Sequence, residues 1–164
     1  MISIPTILNS VYAFVLITIV YFIACLLDIY ITGVPIITPI IEAYSVNTVT
    51  NKLTPMSLTE ISTISMEDDI IIVYDIQRLR SADLRSDRKL EDEEDNSVVS
   101  LSVVNKTVKI EHIKIKLPIQ IPAYLKVGCK KYYTDTYYQY TYNILTDFNP
   151  ITVRLPEFKF CFSK

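Results

Sequence analysis

The sequence predicts a mainly β protein: an N-terminal transmembrane α-helix followed by a small antiparallel β-sandwich-like ectodomain. Three observations carry that expectation. Residues 7–27 hold no charged side chain and almost no polar one, as a helix in lipid requires. Residues 69–79, "DIIIVYDIQRL", form a β-branched run of the kind found in buried central strands. Beyond residue 96 apolar side chains recur at every second position, the period at which a strand alternates its faces.

Taken in order, the first element is the anchor, assigned to residues 1–28. Its apolar part spans 21 residues, with Asn9, Ser10 and Thr18 nearly the only interruptions, and about 20 residues suffice to cross a bilayer. A helix satisfies its own backbone hydrogen bonds and so can remain in lipid. A cleaved signal peptide would carry a basic n-region and a shorter apolar stretch; no Lys or Arg precedes Lys52. "FIAC", ending at Cys25, resembles a lipoprotein cleavage motif but lacks the basic flank and continues into the apolar "LLDIYITG". A permanent anchor is the expectation, with the C-terminal domain outside. Residues 29–41, "IYITGVPIITPII", are broken by Pro35 and Pro39 and read as a stiff, extended stalk or interfacial segment, lying at the membrane surface or buried against a partner.

Residues 42–164 are assigned to the ectodomain. The Ser-, Thr- and Asn-rich stretch 42–68 reads as extended chain and turns, and 69–79 as the central strand. Residues 80–96, "RSADLRSDRKLEDEEDN", hold little apolar material and are expected as a solvated, mobile charged loop. Val99, Leu101 and Val103 then fall on one strand face, with "NKT" at Asn105 as a turn. In "TVKIEHIKIKL" the apolar phase inverts, from Val108 and Ile110 to Ile113, Ile115 and Leu117. A β-bulge near Glu111 and His112 is the simplest reading. Pro118 and Pro122 point to an edge strand or crossover. Tyr138, Tyr140, Tyr142 and Ile144 alternate on one face, and Phe158, Phe160 and Phe162 on another.

Charge is unevenly spread. The net charge is −2, yet residues 28–96 hold fourteen acids and six bases, and residues 97–164 ten bases and four acids. Either the basic half meets an acidic partner or anionic lipid, or the two halves neutralise one another within one fold or oligomer. Nucleic acid is a poor match, because the lysines are interleaved with apolar strand residues and arginines are few.

Little in the chain offers chemistry. Gly33 and Gly128 are the only glycines, too few for a phosphate cradle built on close backbone approach. His112 is the only histidine; it has no evident nucleophile to serve and is expected exposed, and a four-ligand zinc site is improbable. No catalytic residue, metal ligand or cofactor is assigned. Cys129 and Cys161 either form a disulfide in an oxidising compartment or stay as buried thiols, and Cys25 reads as a small filler within the anchor. Asn105 opens a glycosylation sequon. Tyr137, Tyr138, Tyr140 and Tyr142 are candidate partner contacts, since a tyrosine ring combines apolar area with a polar tip; a half-buried sheet face uses the same residues.

The anchor at 7–27, the "VPIITPI" stretch and the sparse Cys129/Cys161 pair together resemble, in architecture, the small envelope proteins with which viruses infect cells. Baculovirus per os infectivity factors are similar in plan, as are poxvirus components of the fusion machinery, and the abundance of Ile, Tyr, Asn and Lys fits an AT-rich genome. The resemblance implies a non-enzymatic, single-pass subunit of a multi-protein complex in the virion envelope, bound to lipid through residues 7–27 and to other membrane or envelope proteins. The rival expectations are a subunit of a cellular membrane complex, respiratory or secretory, and an anchored enzyme with an unrecognised site.

Overall fold

The computed structural model describes residues 4–33 and 35–163. Positions 1–3 of the expected anchor, Val34 of the expected stalk and Lys164 at the end of the expected ectodomain lie outside the described residues. The chain is mainly β, with one long helix ahead of two packed sheets.

Helix α1 (Ile4–Thr32) has 29 residues. Its stop is local: Gly33 adopts a left-handed φ of +57°, its amide closes on the Ile29 carbonyl at 3.2 Å, and Pro35 follows. Such a glycine satisfies an otherwise orphaned helix carbonyl without a Cβ clash.

The first sheet is built on β5 (Asp68–Arg78). Along one edge of β5 run β1 (Ile36–Ile37) and β2 (Ile40–Asn47) in succession, with β3 (Leu53–Pro55) outside β2. Of the expected stalk, residues 29–32 end α1, and Ile36–Ile37 and the first residues of β2 are strands of the sheet itself. Ile36 and Thr38 are buried, because pairing with β5 satisfies the backbone on either side of Pro39. The other edge of β5 pairs with β8 (Glu111–Ile119). The central-strand expectation holds: Ile70, Ile72 and Tyr74 are fully buried. Pro118 is tolerated because β8 is an edge strand whose outer amides bond to nothing in the sheet.

The second sheet has the order β4 (Ser62–Ser65), β11 (Phe158–Ser163), β9 (Gly128–Tyr140), β6 (Ala82–Asp92), β7 (Val98–Val108), with β10 (Ile151–Arg154) also on β9 ahead of β11. All pairs are antiparallel except β4 with β11. A short helix, α2 (Ile144–Phe148), joins β9 to β10. The inner faces of the two sheets share one core, in which Ile70, Ile72 and Tyr74 meet Leu90, Tyr132, Tyr138, Phe158, Phe160 and Phe162.

The charged stretch 80–96 is not a mobile loop. It is β6, hydrogen-bonded on both sides, and a tight turn closed by Asn96 at φ +55°. Alternation resolves the paradox: Ala82 and Leu90 face the core, while Asp83, Arg85, Asp87, Lys89 and Glu91 stand on the solvent face. "NKT" lies inside β7 rather than in a turn. The register slips between Arg88 and Lys89 opposite β7, leaving Leu101 unpaired. Val99 thus opposes buried Leu90, whereas Val103 opposes Asp87 and is 49% exposed, so the three residues do not share a face. The phase inversion near Glu111 has another cause than a bulge: the chain leaves the second sheet after Val108 and enters the first at Glu111.

Candidate functional site

The strands turn two regions into surfaces with organised chemistry: the junction of helix and sandwich, and the outer face of the second sheet.

At the junction the last turns of α1 are bonded into the β domain. Asp28, a lone acid at the end of the apolar span, forms an ion pair with Arg80. It also accepts a hydrogen bond from Asn143 Nδ2 at 2.7 Å. The same amide donates to the Cys25 carbonyl at 3.1 Å, and Tyr21 Oη donates to the Tyr142 carbonyl at 3.2 Å. Arg80 lies 4.2 Å above the centre of the Tyr140 ring, and burial pushes the Tyr140 hydroxyl pKa up. Asn143 is placed by its role as N-cap of α2, its Oδ1 accepting from the Leu145 amide. Thr146, fully buried, ties the turn back to β9 through the Tyr140 amide at 2.7 Å. Cys25 is buried against this assembly.

On the outer face of the second sheet, charges stand in cross-strand rows. Asp135 of β9 accepts from Lys89 Nζ at 2.9 Å and from Arg154 Nε at 2.8 Å. Burial alone would raise its carboxyl pKa, but these two cations outweigh burial and hold it below the usual value. The Tyr133 ring is flanked by Arg154 at 4.3 Å and by Lys131 and Lys89 at 5.7 and 5.9 Å, close enough for cation–π attraction. The acidic turn is matched in the same way. Glu91 meets Lys131 at 3.2 Å, Glu93 meets Lys159 at 2.6 Å, Asp95 meets Lys126 at 3.6 Å, and Asp92 meets buried Lys130. Much of the sequence's charge polarity is thus neutralised within one sheet.

Beside these rows opens a groove of about 860 Å³, lined by Asp83, Arg85, Asp87, Asn105, Lys106, Thr107, Tyr137 and Gln139, among others. Arg85 is fixed by Asp87 on its own strand at 3.0 Å, and Asp83 accepts from Thr107 Oγ1 at 2.6 Å. The groove offers hydrogen-bond donors, acceptors and one aromatic ring on a rigid sheet, which suits recognition of a polar surface.

The residues singled out in the sequence part company here. Tyr137 faces the groove, whereas Tyr138 and Tyr140 are buried and present nothing to a partner. β9 ends at Tyr140, so the stripe does not continue; Tyr142 turns outward at φ +68° and Ile144 starts α2. Cys129 and Cys161 are disulfide-bonded between directly opposed positions of β9 and β11. Asn105 lies on the groove. His112 is exposed on β8, with Nε2 2.7 Å from Asp75 Oδ1. Among the described residues no three His, Cys, Asp or Glu side chains gather as a metal site. Asp28, Arg80 and Asn143 escaped sequence reasoning, and Asp28's position closing an apolar span was the one available signal.

Fold and surface define a β-sandwich carried on a single apolar helix, with a polar groove on one sheet. No protein-family model matches this sequence, and no curated protein matches it.

Proposed function

We propose that this chain is a single-pass, membrane-anchored, non-enzymatic subunit of a multi-protein envelope complex that serves viral infection of the host cell, with the β domain on the outer side. The observation that carries the anchored part is the uncovered apolar surface of a helix long and apolar enough to cross a membrane, Ile7–Ile31, along which Cys25 alone is buried, and which is hydrogen-bonded to a folded domain. The groove beside Tyr137 supports the interaction part, and the viral setting rests on the architectural resemblance. Complementary polar and charged groups of this kind guide which partner docks.

The test is gentle detergent extraction followed by identification of co-purifying proteins. Tyr137→Ala with Gln139→Ala should leave the fold intact and release the partners. Tyr138→Ala should instead cost about 3–5 kcal/mol of stability, as for other large aromatic truncations in a core. If the groove variant keeps every partner, the groove is not the contact; if alkaline carbonate washing strips the protein from membranes, the anchored reading fails.

A further inference from the structure

The β domain carries a second apolar surface, and it lies beside the helix rather than at the far end of the sandwich. The apolar span is Ile7–Ile31, yet the hydrogen bonds from the helix to the domain begin, among those described, at Tyr21, and residues 7–20 are exposed apart from partly covered Thr18. Those fourteen residues make about 21 Å of helix at 1.5 Å per residue. The hydrocarbon core of a bilayer is about 30 Å thick. A helix with residue 7 at one face of that core therefore reaches the other face only near residue 27, level with the Cys25 and Asp28 contacts to Asn143. The segment 141–149, bonded to the helix from Tyr21 to Asp28, is brought to the bilayer boundary by geometry alone.

Its side chains suit that depth. Tyr142 is 93% exposed and Phe148 81% exposed. Tyr142 holds a positive φ, uncommon for a residue with a Cβ, while its carbonyl is tied to Tyr21. Ala82 pairs with both Val108 and Tyr140, so the link bearing Lys109 and exposed Ile110 lies at the same end of the sheet. Tyrosine and lysine are favoured at the interface, where a ring or stem can be apolar while its tip stays wet. Of the acids here, Asp28 within the helix is neutralised by Arg80, and Asp147 of α2 is exposed beside Phe148, at the depth where headgroups and water can solvate it.

We propose that the 141–149 segment, with the Lys109–Ile110 link, seats the β domain on the bilayer interface as a second lipid contact, fixing which face of the sandwich looks outward. This rests on the anchored reading above. The chain has no tryptophan, so single tryptophans report cleanly. The full chain is reconstituted in phosphatidylcholine vesicles with brominated acyl chains, as four variants: Tyr142→Trp, Phe148→Trp, Leu16→Trp in the helix, and Val49→Trp in the exposed turn at the opposite end of the sandwich. Bromines near the headgroups should quench emission from positions 142 and 148, deep bromines should quench position 16, and position 49 should be untouched. Quenching at 16 with no more at 142 and 148 than at 49 would overturn the second contact and leave the anchor standing. No quenching at any position, 16 included, would overturn both.

Discussion

The cross-link between Cys129 and Cys161 permits a quantitative test. It joins directly opposed residues on neighbouring strands and closes a sequence separation of 32. In the chain-entropy model such a loop restricts the unfolded ensemble by about 3.7 kcal/mol at 25 °C. For a protein of this size each kcal/mol shifts Tm by about 3 °C, so losing the bond should lower Tm by roughly 10 °C. Both positions are half-buried, so serine is accommodated. Cys129→Ser, Cys161→Ser and the double variant remove the same bond and should therefore fall equally, the second substitution adding almost nothing. Circular dichroism melts of the detergent-solubilised chain, with and without dithiothreitol, read the effect. Reductant should bring the unsubstituted protein down to the variants and leave the variants where they are. Additive losses, or a wild-type melt indifferent to reductant, would show that the thiols are not bridged.

Three further outcomes are expected. Asp28→Ala strips a carboxylate from Arg80 and Asn143; charge-assisted bonds contribute about 1.5–3 kcal/mol, so hydrogen exchange at residues 142–147 should accelerate while β5 stays protected, and unchanged exchange would contradict the clasp. Tyr74 buries a hydroxyl without a partner among the described residues, so Tyr74→Phe should raise stability by about 1 kcal/mol; a lower Tm would mean the hydroxyl is bonded. Asp92 and Asp135 titrate below the ordinary 3.8, Asp92 chiefly through its bond from Lys130 and Asp135 because Arg154 and Lys89 outweigh burial. The unfolded chain therefore binds more protons just below that value, so this stabilisation is full above about pH 4 and lost as pH falls through the folded pKa values. Asp92→Asn and Asp135→Asn should flatten the acid limb of an unfolding titration, and an unaltered limb would discount both pairs.

Much of the sandwich is visible in the sequence because its strands bury whole faces: the Ile-rich β5 and the Phe158, Phe160 and Phe162 face need no distant information. β6 is hidden for the opposite reason. Only Ala82 and Leu90 mark its core side, and what makes its charges acceptable, Asp135, Lys131 and Lys130, lies on another strand. The phase inversion before Ile113 is real, but a bulge and a change of sheet both invert alternation, and nothing local separates them. The helix junction depends on Arg80 and Asn143, far from Asp28 along the chain. Tyr137 was legible as an outward residue only once β9 had a partner on each side.

The parallel pairing of β4 with β11 has a consequence for how the protein is made. Ser62 lines up with Phe160, and Ser65 with Ser163, so β4 must wait for a strand far downstream in the chain. Until then the tyrosines of β9 lack the phenylalanines that cover them, and β4 has no neighbour in its sheet. Long-range pairing of this kind slows folding and leaves sticky edges open meanwhile. On the proposed topology the nascent domain would cross the membrane before it folds, with its oxidation following the arrival of β11, and any fusion that hinders that strand should trap the chain in chaperone complexes.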